Sequence, residues 1–482
     1  MAARRSGNRN AFPYDRRSDG VHAVSPKSVF LYHYKVTKKI VQKSIASAIR
    51  GRTAQTIARD LESAIRDDRV GPGDRLPPVR SLADVLCVSP TTVNAAYRSL
   101  RGRGLLTGAG RRGTSVRGRP ALRTALAMPV PAGAIDLATG NPDPKLLAPL
   151  ARALQRIDAR PHLYAEPHEL PALREILANA FDADGIPALH LGVVSGALDG
   201  IERVLLAQLR PGDRIGVEDP GFSNVLDLVA ALGLEVVPVA IDDRGILPEA
   251  LKSAFEADIA ALIVTPRAQN PTGAALDAER VRALRRVLRT RPELLVVEDD
   301  HAGSVSGAAA QTLWERGRER WAVIRSTSKT HGPDLRLAAI AGDRETIARV
   351  AGRQRIGVRW VSHLLQRIVA ELESEVASRR RVQRAARLYT ERREALIAAL
   401  AARDIVAHGR SGLNVWVPVP EEVPVVQALL AAGFAVSAGE RFRLRTRPAI
   451  RVTIATLAPS RVPALADAIA ASLGAQGRSA GS

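Results

Sequence analysis

Lys329 stands in Ser-Thr-Ser-Lys, just beyond the apolar run Trp321–Ile324, with Ser326 three residues before it and Arg336 seven after. One short stretch thus offers an amine for an aldehyde, with a hydroxyl and a guanidinium for a phosphate. By itself a lysine after a strand is an ordinary surface charge, so the reading depends on its company. Asp299 ends Leu-Leu-Val-Val-Glu-Asp, where a carboxylate could keep a pyridine nitrogen protonated and make the ring an electron sink. Capping a helix is the other use of an aspartate there. Asn270, in Asn-Pro-Thr-Gly, offers an amide to a ring's phenolic oxygen, although the same tetrapeptide makes a plain turn. Ser195-Gly196-Ala197 joins an apolar run to a helical pattern, so backbone N–H groups there could receive a phosphate.

These residues need a scaffold, and its rhythm is legible from Ile135 onward. Short apolar runs (LGVVSG, RIGVEDP, EVVPVAI, AALIVTP, ELLVVEDD, WAVIRSTSK, LAAIAG) alternate with amphipathic helical stretches. That alternation predicts a mostly parallel sheet covered by helices. A long helical stretch over 360–402 then precedes LNVWVPV, FAVSA and IRVTIA, which predict a smaller α+β lobe.

The N-terminal part follows another plan. Ile57, Leu61 and Ile65 form one helical stripe, and Val79, Leu82, Ala83 and Leu86 a second after Pro77-Pro78. Ser89 caps a third helix with Pro90 at its first position, burying Val93, Tyr97 and Leu100. A glycine-rich hairpin follows. Three short helices and a hairpin predict a winged helix-turn-helix, with the third helix in the major groove. Thr91, Thr92, Asn94 and Arg98 would then face bases and phosphates, and Arg111 and Arg112 would sit at the wing tip. Gly108, Gly110 and Gly113 spell a dinucleotide fingerprint, but no apolar strand leads into it and no helix follows, so a wing is the better account.

Charge agrees with this division. Of the net +21, residues 1–120 carry +16 (24 Lys/Arg against 8 Asp/Glu), and the remaining residues carry +5 (46 against 41). A polyanion-binding end is expected. Cys87 is the sole cysteine, which excludes an intrachain disulfide and a cysteine-based metal site and fits a reducing cytoplasm. The arginine-bearing start lacks the apolar core of a signal peptide, and no run approaches the roughly 20 apolar residues of a membrane span. The expected domains are a basic extension (1–50), a winged helix-turn-helix (51–118), a linker (119–134) and an α/β domain (135–475), with a short helix around Ile40–Ile49.

The stretch from Gly73 to Val116 resembles the GntR family of regulators, through Leu76, Pro77, Arg80, Leu82, Ala83, Val88, Ser89, Thr91, Thr92, Val93, Ala96, Tyr97, Leu100 and Gly104. The resemblance implies DNA contacts by Arg80, Ser89, Thr91, Thr92 and the wing. Pro90 and Asn94 depart from it, where many relatives place arginine.

Residues 135–470 resemble the class I aminotransferases of fold type I. That resemblance implies pyridoxal 5'-phosphate as cofactor, with Lys329 forming the Schiff base and Asp299 pairing with the pyridine nitrogen. It also implies Asn270 at the phenolic oxygen and Phe222 stacked on the ring. Ser195, Gly196, Ala197, Ser326 and Arg336 would bind the phosphate. Tyr164 would reach the phosphate from the other subunit of a homodimer, and Arg451 would bind a substrate carboxylate. His301 stands where most members put a tyrosine.

A GntR-type module joined to such a domain is the layout of the MocR regulators. The runs GNPDP, TPRAQNPTG, EDDH and WAVIRSTSKTHGPDLRLA are most similar to the PtsJ branch, which implies a link to vitamin B6 metabolism. Three readings follow: a DNA-binding regulator responding to pyridoxal phosphate or an adduct; a weak aminotransferase with an appended DNA-binding module; and a DNA-binding protein with a cofactor-free dimerisation platform.

Overall fold

The computed structural model describes residues 49–66, 69–71, 74–102, 105–107, 113–116 and 130–479. The helix expected around Ile40–Ile49 (Ile49 itself apart), the wing-tip residues Arg111 and Arg112, and most of the 119–134 linker lie outside them. The described residues divide into two compact units, those of 49–101 and 105–116 in one, and 102 with 130–479 in the other.

In the first unit, Thr53 caps α1 (Ala54–Arg66), its hydroxyl accepting from the Thr56 amide at 3.2 Å. The apolar stripes of α1, α2 (Val79–Leu86) and α3 (Pro90–Gly102) meet in one core built on Ile57, Leu61, Leu82, Val93, Tyr97 and Leu100. The turn between α2 and α3 is three residues long, and Cys87 opens it in the left-handed region (φ 51°). Tyr97 is buried, and its hydroxyl donates to the Pro77 carbonyl at 2.9 Å, tying α3 to the chain entering α2. The wing strands β1 (Leu106–Thr107) and β2 (Ser115–Val116) pair antiparallel and send Leu106 and Val116 into the same core.

In the second unit, β3 (Ile135–Leu137) precedes α4 (Leu150–Arg156) and α5 (Pro171–Ala183). The large sheet comprises β4 (Leu191–Val194), β5 (Arg214–Asp219), β6 (Glu235–Asp242), β7 (Gly245–Ile246), β8 (Ala261–Val264), β9 (Leu295–Asp300), β10 (Trp321–Ser326) and β11 (Ala338–Gly342). Its order is β4-β11-β10-β9-β8-β5-β6-β7, with only β11 and β7 running against the rest. Both faces are covered. Ile263, Leu295, Val297 and Ile324 pack beneath α6 (Ala197–Gln208), α7 (Ser223–Ala231) and α10 (Arg344–Ile356). Leu262, Val264 and Val296 pack on the opposite face under α8 (Pro248–Glu256) and α9 (Ala278–Leu288). Burial on both faces is why these strands read as continuous apolar runs.

The helical stretch expected over 360–402 is two helices, α11 (His363–Ser374) and α12 (Val376–Ala401), broken at Glu375, whose backbone is extended. The smaller lobe holds β12 (Asn414–Pro418), β13 (Phe434–Ala438) and β14 (Ala449–Thr453), with α13 (Glu422–Ala431) and α14 (Val462–Ser479). Its sheet order is β12-β14-β13-β3, so β3 belongs to the small lobe although it precedes the large sheet in sequence. No helix among the described residues is long and apolar enough to cross a membrane.

Candidate functional site

The C-terminal ends of the parallel strands converge on one cavity of about 270 Å³. It is lined by Ala197 after β4, Phe222 after β5, Asn270 after β8, Asp299 and His301 at the end of β9, and Ser326 and Lys329 at the end of β10. Arg336 enters from the loop before β11, and Arg451 from the small lobe.

Strand pleating decides what β9 presents. Leu295, Val297 and Asp299 share one face, Val296, Glu298 and Asp300 the other. Glu298 accepts from the Thr312 hydroxyl at 2.7 Å and the Leu313 amide at 2.9 Å. Asp300 takes both ends of the Arg267 guanidinium at 2.8 Å and Nε of Arg325 at 2.8 Å. Asp299 alone turns toward the cavity, and its Oδ1 is buried without a hydrogen-bond partner. Burial, reinforced by the charge of Asp300, pushes its carboxyl up to about 7. A buried carboxyl with an open acceptor is matched by a ligand N–H⁺.

Lys329 sits on the loop from β10 to β11, which is pinched where Thr327 bonds the Leu337 carbonyl through its amide (3.1 Å) and its hydroxyl (2.9 Å). The Lys329 ammonium donates to the Gly140 carbonyl at 2.6 Å. Burial and then the charge of Arg451 lower it to about 8, so a useful fraction is free amine near neutrality. The same burial, with Lys329 beside it, lowers His301 to about 4 and keeps the imidazole neutral.

Arg336 crosses to the opposite wall, where its Nη2 donates to the Ser195 carbonyl at 3.1 Å. Gly196 leaves room for it: a Cβ there would lie 2.6 Å from Nη2, and φ is +96°. The expected phosphate donors at Ser195 and Gly196 are otherwise employed. The Ser195 amide donates to Asp199 Oδ2 at 2.9 Å, and the Gly196 amide to the Val194 carbonyl at 2.9 Å. The N-terminal turn of α6 lines the cavity at Ala197 and Leu198, and the first amides of a helix have no partner within it. Ser326 accepts from the Ser328 amide at 3.1 Å and donates to the Ser328 hydroxyl at 2.9 Å, and both residues line the cavity.

Arg451 lies on β14, and its guanidinium rests 4.7 Å from the Phe442 ring centre. Its Nη1 donates to Asn270 Oδ1 at 3.0 Å and its Nη2 to the Ala138 carbonyl. Burial lowers it to about 10, still a cation near neutrality. Tyr164 does not join the cavity. It is 72% exposed, against Trp360 and beneath the Arg359 guanidinium.

Residues 132–469 match the family model for aminotransferase class I and II, and residues 53–116 that for bacterial regulatory proteins of the gntR family. The chain is 38% identical over 87% of its length to the vitamin B6 salvage pathway transcriptional repressor PtsJ of Salmonella typhimurium, covering 98% of that protein. The chain belongs to the MocR-type transcriptional regulators. The pyridoxine biosynthesis regulator PdxR of Corynebacterium glutamicum is 30% identical over 67% of the regulator and 73% of its own length. The second unit has the fold of an archaeal alanine:glyoxylate aminotransferase (TM-score 0.65, 21% identity, 71% of this chain and 91% of that one). It shares that fold with LysN of Thermus thermophilus, an α-aminoadipate aminotransferase solved with a phosphopyridoxyl-leucine (0.63, 23%, 71% and 94%).

In the regulator's first unit, Arg80, Thr91, Asn94 and Arg98 are exposed and Thr92 is half-buried. Ser89, expected at DNA, is occupied by capping: its oxygen accepts from the Thr92 amide at 3.1 Å and lies 2.6 Å from the Thr91 hydroxyl. Gly140, Ser328 and the Arg267–Asp300–Arg325 cluster escaped the sequence reading. GNPDP carried Gly140 in plain view, but nothing local ties it to Lys329.

Proposed function

We propose that the regulator binds operator DNA as a homodimer in the cytoplasm and that pyridoxal 5'-phosphate, or an adduct of it, sets its operator affinity in the control of vitamin B6 metabolism. The observation that carries the reading is the opposition, in one cavity, of a low-pKa lysine and a buried carboxyl with an unpartnered oxygen. The residues fit the cofactor. Lys329 would hold its aldehyde carbon, Asp299 its ring nitrogen, and Arg336, Ser326 and the first turn of α6 its phosphate, with Phe222 and Asn270 flanking the ring. Bound there, the cofactor supplies a covalent, electron-withdrawing ring.

What the chain's own groups do fits sensing. His301, a neutral imidazole, replaces the phenol that relatives place beside the ring oxygen. Arg451 is drawn onto Asn270 and the Ala138 carbonyl, so a ligand carboxylate must compete with protein groups for it. A homodimer is supported by the exposed apolar group Leu163, Tyr164, Ile356 and Val358 (67%, 72%, 87% and 61% exposed).

A ligand shifts a conformational equilibrium only through unequal affinity for its states. Operator titration of cofactor-free protein, cofactor-loaded protein and Lys329→Ala therefore tests the proposal: the loaded form should differ from the other two, and equal affinities in all three reject it. The aminotransferase reading is favoured by the complete set of Lys329, Asp299 and Arg451, and rapid multiple turnover of an amino acid would establish it.

A further inference from the structure

Residues 121–482 carry a net charge of +5, which equals the charge of one nine-residue run within them. Arg379, Arg380, Arg381, Arg384 and Arg387 fall in the first half of α12 with no carboxylate among them. No ion pair joins any of the five to a carboxylate among the described residues. Five like charges so close on one helix repel one another, an arrangement that a bound anion would relieve.

Two of the five, Arg379 and Arg387, stand two helical turns apart and line a cavity of about 500 Å³. The facing wall is the loop that carries Lys329: Thr330 and His331 line it, with Ser304 and Glu373. His331 is 4% exposed, its Nε2 lies 2.8 Å from Glu373 Oε1, and its Nδ1 has no partner. Burial would raise the Glu373 carboxyl, but His331 outweighs it and holds the group below its ordinary range. The Glu373 carboxylate pairs with His331 and its carbonyl accepts from Arg379 Nη1 at 3.0 Å, while the guanidinium of Arg387 has no partner among the described residues. The Ser304 hydroxyl adds a neutral donor to the two cations, whereas that of Thr330 is spent on the Thr327 carbonyl at 3.1 Å.

We propose that this cavity is a second anion site, separate from the cofactor cavity, and that it takes a small phosphomonoester. Its concavity, its volume and the buried imidazole suit a compact ligand rather than the convex backbone of a duplex. The ligand phosphate sits between Arg379 and Arg387, and its body fills the space beside His331.

The test is calorimetric titration of the full chain carrying Arg336→Gln with inorganic phosphate. That background disables the cofactor's phosphate cradle, so the outcome does not depend on how Lys329 is used. Saturable binding is expected, weakened about tenfold or more when Arg379→Gln and Arg387→Gln are added. The control pair Arg380→Gln and Arg384→Gln should leave it within about twofold, since neither lines the cavity. Three results would overturn the proposal: absence of saturable binding, equal losses from both pairs, or retention of phosphate only when Arg336 is present. Binding of an operator-free duplex that depends equally on all five arginines, without phosphate binding, would assign the patch to nucleic acid instead.

Discussion

Arg451 Nη1 donates to Asn270 Oδ1 at 3.0 Å, joining a strand of the small lobe to a turn of the large sheet across the cavity that holds Lys329. The contact fixes the Asn270 amide with its oxygen toward the arginine, which leaves its NH₂ as the group to meet a ring oxygen. It also brings a permanent cation close enough to Lys329 to lower it, second only to burial.

The pH dependence of cofactor capture follows from that neighbour. Lys329 must be a free amine to add to an aldehyde, and its value is about 8. Capture rate should rise with pH and level off above 8, measured by the visible absorbance of the lysine-linked cofactor. Arg451→Gln should move the midpoint upward, because burial alone then opposes the charge. Lys329→Ala should abolish the band with the fold intact.

Asp299→Asn separates the fold's needs from the cofactor's. In the cofactor-free protein the Asp299 carboxyl is raised to about 7, so its neutral form stabilises the fold below the unfolded value, and that benefit is lost as pH rises through 7. The variant should therefore be more stable than the parent at pH 8, by on the order of 4 kcal/mol, and match it near pH 4. With cofactor present the order should reverse, as scanning calorimetry will show.

Gly196→Ala should damage the phosphate cradle. The added Cβ meets Arg336 Nη2 at 2.6 Å on a backbone with φ +96°. Displacing the guanidinium removes a charge-assisted contact, so cofactor affinity should fall by about tenfold or more with helical content retained.

At the DNA-binding unit, Arg80→Ala and Arg112→Ala should each lower the salt dependence of operator binding by about 0.9 in log–log slope, as expected for one lost phosphate contact. Thr91→Ala and Asn94→Ala should relax sequence preference, because base-edge contacts carry specificity. Ser89→Ala should behave differently, costing about 1 kcal/mol of stability through the lost cap. Unchanged DNA binding in the first four variants would reject the face.

Tyr97→Phe isolates the tie between α3 and the Pro77 carbonyl. It leaves a buried acceptor without its donor, so the winged unit should lose about 1–3 kcal/mol in chemical denaturation.

Periodicity and turn chemistry determined the local pieces from sequence alone. Continuous apolar runs ended by turn residues, and the strand–turn–helix rhythm, put Asp299, Asn270, Phe222 and Lys329 at strand ends, and a parallel sheet gathers such ends on one edge. The stripes through Ile57, Leu82 and Val93 fixed the three-helix core in the same way. Tertiary structure alone decided contacts between residues with no shared period. Arg451 meets Asn270 across 181 positions, and Lys329 meets the Gly140 carbonyl across 189. It also assigned β3 to the far lobe, ran β11 against its neighbours, and turned the Ser195 amide inward to Asp199. A donor's partner depends on which groups folding leaves within about 3 Å, and no spacing along the chain encodes that distance.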